Sequence, residues 1–247
     1  MLPLVLGVIP ARFASTRFPG KALAVIAGKT MLQHVCERAA EARSLSRVIV
    51  ATDDKRIFLE ASRFGVDVCM TSPDDPSGTD RVAEVASAEP ADLVVNIQGD
   101  EQLIDPAAID AAVNGLLGRP EAPMGTLKKG IEDPRELSDP NVVKVVTDLA
   151  GDAIYFSRSL IPFPRGEHAL HYKHIGLYVY RREFLLGYSR MPVGPLERAE
   201  KLEQLRALEN GHRIHVVETT YESLGVDTPE DLERVSKLVE AKLLMKA

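Results

Sequence analysis

Cysteine is scarce: Cys36 and Cys69 are the only two in 247 residues. They stand far apart and form no metal-type spacing. Two buried, reduced thiols in a cytosolic protein are therefore expected, not a disulfide framework. No apolar stretch approaches the ~20 uninterrupted residues that a membrane helix requires, so no membrane partner is expected. The apolar start from Met1 to Pro10 has no basic residues ahead of it, and Arg12 ends it too early for a signal peptide. The expected location is the cytoplasm. Basic residues do not predominate either: 30 Lys and Arg face 36 Asp and Glu, a net charge of −6. Without a dense basic run, nucleic acid is not an expected partner. Low-complexity tracts are missing too, which argues against disorder.

Two nucleotide-binding signatures are also missing. A dinucleotide fold places G-x-G-x-x-G after its first strand, but here Gly7 lies inside that strand and the turn reads Pro10-Ala11-Arg12. Gly28-Lys29-Thr30 resembles the tail of a Walker A loop, yet Leu23 stands where that motif needs glycine. The tripeptide reads more simply as a turn feeding a helix cap.

Apolar residues make up 45% of the chain, enough to bury roughly 70–75% of the unfolded surface in a chain this long. Leu4 to Ile9 reads as a buried strand whose lack of alternation suits a parallel sheet. Thr30 caps a helix with Met31, Leu32, Val35 and Ala39 on one face. Further strands are expected at 47–52, 66–70 and 93–97, with helices near 55–64, 79–87 and 106–117. This β-α order predicts an α/β fold with a doubly wound, mostly parallel sheet and ligands at its carboxyl edge. The second half is less regular, with strands expected at 141–147, 153–156, 175–180 and 213–217. One helix is predicted over 195–210, with Leu202, Leu205 and Leu208 inward and Gly211 as its stop. Thr228, Pro229 and Asp231 open the last helix with a capping box. No stretch has linker composition, so 1–247 reads as a single domain carrying a smaller β portion.

Several constellations could carry chemistry. The loop from Pro10 to Lys21 gathers Arg12, Arg17 and Lys21 with glycine and small hydroxyl residues, as a triphosphate requires. It could equally be a solvated loop. Ser77-Gly78-Thr79-Asp80-Arg81 opens a helix, and serves either as a cap or as a holder of base or ribose. Gln98, Gly99, Asp100 and Glu101 follow a buried strand directly. Acidic groups at such a tip are poorly explained by packing, and Mg²⁺ prefers one or two carboxylates plus phosphate oxygens. Asp227 is a second candidate ligand, although with Thr228 it would also make a good helix start. If Asp100 and Asp227 meet, phosphoryl or nucleotidyl transfer follows. Arg158, His174, Tyr178, Glu203 and Gln204 are weak signals one by one.

Taken in order, these segments resemble the 3-deoxy-manno-octulosonate cytidylyltransferases. The likeness runs from Ile9 to Lys21, then through Ala51 to Asp54, Ser77 to Arg81, Asn96 to Glu101 and Asn141 to Val146. It continues through Tyr155 to Arg158, His174 to Tyr178, Leu196-Glu197, Leu202 to Arg206 and Gly225 to Asp231, nearly the whole chain. The resemblance implies a homodimeric nucleotidyltransferase that joins CTP to Kdo (3-deoxy-D-manno-octulosonate) for lipopolysaccharide assembly. It implies that Arg12 and Lys21 hold the triphosphate, and that Ser77, Gly78, Arg81 and Gln98 line the cytidine side. Asp100 and Asp227 would bind Mg²⁺, while Arg158, His174, Tyr178, Glu203 and Gln204 would surround the sugar. The β portion would serve sugar binding and dimerisation. Three readings compete: a CMP transferase for a related acid sugar (amino-Kdo or a nonulosonate), a dehydrogenase, and a non-catalytic nucleotide sensor.

Overall fold

The computed structural model describes residues 3–14, 18–166, 169–226 and 228–244. It divides into two compact units, Met1–Asp110 with Ser223–Ala247, and Ala111–Glu222.

The first unit contains β1 (Val5–Pro10), a small hairpin of β2 (Val25–Ile26) and β3 (Lys29–Thr30), α1 (Met31–Ala40) and β4 (Arg47–Thr52). It continues with α2 (Lys55–Arg63), β5 (Asp67–Met70), α3 (Gly78–Ala88), β6 (Leu93–Asn96) and the start of α4 (Pro106–Leu117). The larger strands lie in the order β6-β1-β4-β5, and every pairing in that set is parallel. β1 and β6 are almost wholly buried, which explains their unbroken apolar runs: both faces of a parallel strand are covered. The expected α/β class holds. The chain passes from β1 to β4 on one side and returns to β6 on the other, so the strand order reverses beside β1. In such sheets the ligand crevice opens beyond the carboxyl ends of the two strands at that switch.

Local signals for the helices were legible. The Thr30 side chain accepts the Gln33 N–H, and Met31, Leu32, Val35 and Ala39 are fully buried. Ser77 and Asp80 form a reciprocal capping box at the start of α3.

The second unit contains β7 (Met124–Gly130), α5 (Pro134–Ser138), β8 (Lys144–Thr147), β9 (Ala153–Ser157) and β10 (Tyr172–Arg181). Then come α6 (Arg182–Tyr188), α7 (Pro195–Glu200), α8 (Leu205–Glu209) and β11 (Ile214–Glu218). β10 runs antiparallel to β7 and β8, β9 runs antiparallel to β8, and β11 runs parallel to β7. The β7 pairing is irregular: Ile175 opposes Leu127 and Val179 opposes Gly125, so four steps of β10 face two of β7.

The single helix expected over 195–210 is two short helices. Lys201 takes a left-handed conformation (φ 54°), which ends α7. Tertiary contacts hold the break. The Glu209 carboxylate accepts the Leu196 and Glu197 N–H groups at 2.8 and 2.9 Å, and Glu197 pairs with Arg206 at 2.6 Å. Gly211 (φ 80°) follows as the expected stop.

α9 (Pro229–Leu244) belongs to the first unit. Thr228 and Asp231 cap it reciprocally, as predicted. Its Val235 and Val239 pack with Ile26, Met31 and Val226. Among the described residues no helix is long and apolar enough to cross a membrane. Both cysteines are free; Cys36 is buried as expected, with its thiol pushed up to about 12 mainly by desolvation, but Cys69 is only half-buried because β5 has no fully buried position.

Candidate functional site

In the first unit two loops converge on Pro10, the last residue of β1. A Cβ on Gly78, at the start of α3, would sit 3.6 Å from the Pro10 ring. A Cβ on Gly99, just past β6, would sit only 2.8 Å from the Pro10 carbonyl oxygen. A side chain at Gly99 would have to push backbone aside, so glycine there lets the β6 tip lie against the β1 tip.

Arg12 leaves β1 and turns to the loop before α3. Its Nη2 donates to the carbonyl oxygens of Asp75 and Ser77 at 2.5 and 2.9 Å. Arg12 and Ser77 are thus brought together. Lys21 reaches Asp100: its Nζ lies 2.6 Å from Oδ2 and donates to the Val226 carbonyl at 3.1 Å. The Val226 N–H returns a bond to the Asp100 carbonyl at 3.3 Å. Ser223 donates to Glu101 at 2.5 Å. The segment that precedes Asp227 in sequence is therefore stitched to the β6 tip. Arg17 and Asp227 themselves lie outside the described residues. Gln98 is partly exposed beside Gly99.

Arg81 is completely buried. Its guanidinium pairs with Asp53 at 2.9 Å and donates to the Thr71 hydroxyl. A buried cation needs such partners. Sequence reasoning gave Asp53 and Thr71 no role, although Asp53 follows the β4 tip just as Asp100 follows the β6 tip.

The second unit gathers the remaining candidates. The His174 ring packs edge-on to Phe156, at 5.1 Å between centroids, and tilts against Tyr178 at 5.4 Å. Desolvation holds His174 well down, at about 3. Burial and the negative charge of Glu203 push the Tyr178 and Tyr188 phenols up, and the Tyr188 hydroxyl donates to the Glu203 carbonyl at 2.7 Å. His174, Tyr178 and Glu203 therefore share one neighbourhood. Gln204 is buried beside Glu203 in sequence, and its Nε2 has no partner among the described residues.

Arg158 reaches this group only through β9, which carries Phe156. Its Nε donates to the Glu200 carbonyl and its Nη1 to the Pro140 carbonyl, each at 2.8 Å. The Glu200 carboxylate accepts the Arg158 N–H at 2.9 Å and the Ser157 hydroxyl at 2.5 Å. Arg158 lines an open cleft of about 370 Å³ with Leu137, Ser138, Pro140, Ser159 and Leu160. Glu200 was missed from sequence. It stood inside the helix predicted over 195–210, with nothing in sequence to set it apart.

Known proteins resemble this chain closely. A family model described as cytidylyltransferase matches residues 6–214. A 3-deoxy-manno-octulosonate cytidylyltransferase from Solibacter usitatus is 70% identical over 242 residues, covering 97% of this chain and 96% of the relative. The protein of that name from Geobacter sulfurreducens is 59% identical over 243 residues, covering 94% and 97%. A solved CMP:2-keto-3-deoxy-manno-octonic acid synthetase complexed with CTP superposes with a TM-score of 0.94 at 44% identity, covering 97% of this chain and 99% of that one.

Proposed function

This chain belongs to the cytidylyltransferases, and among them to the 3-deoxy-manno-octulosonate cytidylyltransferases; from that premise we infer that it transfers CMP from CTP to Kdo for lipopolysaccharide assembly. One observation carries the reading furthest. Arg12, Ser77, Gly78, Gln98 and Asp100, the residues assigned to CTP and its metal, stand on loops at the carboxyl ends of β1 and β6, where an open α/β sheet binds its ligand.

In the reaction the anomeric hydroxyl of Kdo attacks the α-phosphorus of CTP in line. A new C–O–P linkage forms, the bond from the α-phosphorus to the bridging oxygen breaks, and pyrophosphate leaves opposite. Arg12 and Lys21 balance the charge that builds on pyrophosphate. The Arg12 fork is aimed by its two carbonyl contacts, and the Lys21 charge is matched by Asp100 until phosphate oxygens offer further anionic partners. Ser77, Gly78 and Gln98 line the cytidine side, while Arg81, buried on Asp53 and Thr71, supports it from behind. Arg158, His174, Tyr178, Glu203 and Gln204 surround the acid sugar.

Mg²⁺ suits Asp100. Its carboxylate is a hard oxygen donor that keeps partial exposure, at 28%, and the bonds at Val226 hold its loop. Asp227 is the second proposed ligand. Among the described residues no group of three or more His, Cys, Asp or Glu could hold a metal alone, and Mg²⁺ bound through one or two carboxylates and phosphate oxygens does not require one. When bound, the metal supplies charge neutralisation at the phosphates and acidifies the attacking hydroxyl. We also assign a homodimer acting in the cytoplasm, with neither nucleic acid nor membrane as partner. Exposed Leu149 and Ile154 beside β9, which pairs only with β8 among the described strands, support the dimer.

The test is pyrophosphate release by purified protein with CTP and Mg²⁺, with and without Kdo. Release that depends on Kdo, and that Asp100→Asn nearly abolishes, is expected. Folded protein that binds CTP yet releases nothing with Kdo would overturn the substrate. Near-normal turnover of Asp100→Asn at saturating Mg²⁺ would overturn the metal assignment.

A further inference from the structure

We infer that Thr126 fixes the tautomer of His174, so that the imidazole carries its proton on Nε2 and presents the bare Nδ1 lone pair to a hydroxyl of the bound sugar. The inference rests on the reading of His174 as a sugar-facing residue and adds what that residue can and cannot do there.

The argument is a count of protons. Thr126 lies on β7, fully buried. Its hydroxyl has one proton to give and two lone pairs to receive. Three groups surround its oxygen: the Leu177 carbonyl at 2.8 Å, the Ile175 carbonyl at 3.0 Å and His174 Nε2 at 3.0 Å. Carbonyl oxygens only accept, so the single hydroxyl proton goes to them. The contact with His174 is then a hydrogen bond only if Nε2 donates. The opposite tautomer would withdraw the proton from both carbonyls, or set two lone pairs against each other.

The irregular pairing of β10 explains why two carbonyls crowd one hydroxyl. Four steps of β10 face two of β7 at this place. The stretched loop of backbone turns the Ile175 and Leu177 carbonyls toward Thr126, which stands between the paired residues Gly125 and Leu127.

The other ring nitrogen has spare capacity. His174 is only partly buried, and Nδ1 has no hydrogen-bond partner among the described residues. Desolvation holds the ring neutral at physiological pH, with its pKa at about 3. The hydrogen bond made by one imidazole nitrogen sets the role of the other. His174 therefore accepts a hydrogen bond from a sugar hydroxyl. It does not donate to the sugar carboxylate, whose recognition falls to Arg158. Thr126 touches no substrate in this scheme and is a positioning residue.

The experiment is ¹⁵N NMR of histidine-labelled protein at neutral pH, with the His174 signals assigned among the six histidines by their loss in His174→Gln. The expected spectrum has a pyrrole-type Nε2 and a pyridine-type Nδ1, and Nδ1 shifts when Kdo is added. A protonated Nδ1, or a Nδ1 signal that ignores Kdo at saturation, overturns the inference, and neither result needs a Thr126 variant to fold. Thr126→Val should mix the tautomers and raise KM for Kdo about tenfold, with KM for CTP within about twofold, as for loss of one oriented hydrogen bond. Thr126→Ser should restore both. An unmixed tautomer in folded Thr126→Val also overturns it. Absence of Kdo-dependent turnover in the parent enzyme is a separate failure, of the proposed substrate, because the tautomer is read in the free protein.

Discussion

Asp75 lies in the loop that receives Arg12, and it holds a proton longer than a carboxyl should. Desolvation first, then the neighbouring Glu84 carboxylate, raise its pKa to about 6. The folded state therefore binds more protons here than the unfolded chain, whose aspartates titrate near ~3.9. This contribution to stability is full below that value and is lost as pH rises through about 6. Asp75→Asn should consequently melt higher than the parent protein at pH 7–8, with the gap closing toward about pH 4. Melting curves across that range check it; a constant gap would contradict the assignment. Other residues announced themselves differently. Thr30, Ser77 and Thr228 were legible as caps because a cap is a local bond between neighbours in sequence. The use made of Arg81 was not legible, because Asp53 and Thr71 meet it only through the packing of the sheet. Thr126 gave no signal for the same reason: its partners belong to another strand.

At the level of elements, the β-α alternation of the first half could be read because β1, β6 and most of β4 are buried on both faces and the helices between them bury one. β7 was missed. Met124-Gly125-Thr126-Leu127-Lys128-Lys129-Gly130 has neither an apolar run nor a strand's alternation, yet it pairs on both sides, with β10 and β11. Its Lys128 and Lys129 charges are satisfied by the Thr147 hydroxyl and Glu222, which no periodicity predicts. The division of 195–210 into α7 and α8 was hidden too, since no Gly or Pro marks the break. The Glu209 carboxylate acts as a borrowed cap for α7, and a Cβ on Gly194 would fall 2.2 Å from it. Glu209→Ala should cost about 1 kcal/mol, the usual value of an N-cap, and Glu209→Gln less because it keeps one acceptor. Urea unfolding measures both, and equal stability of all three proteins would refute the cap.

For the molecule as a whole, the first unit is not continuous in sequence. Residues from Ser223 onward complete the first unit. They bring the Val226 carbonyl to Lys21, the Ser223 hydroxyl to Glu101, and three of the four buried side chains that pack around Met31. A chain cut after Glu222 should keep much of its helix content yet lose the rise in melting temperature that CTP gives the full protein. Calorimetry with and without CTP decides this, and an undiminished rise would show that the C-terminal segment is dispensable. This dependence escaped the sequence reading because chain order says nothing about which end closes which site.

The same discontinuity sets a schedule for biosynthesis. A ribosome adds about 5–20 residues each second, so roughly 6 to 22 s separate Asp110 from Ser223. Throughout that interval the Lys21 and Asp100 loops are already made but cannot be locked. The first unit, to which we assign CTP, is closed last, after residues 111–222 have had time to fold.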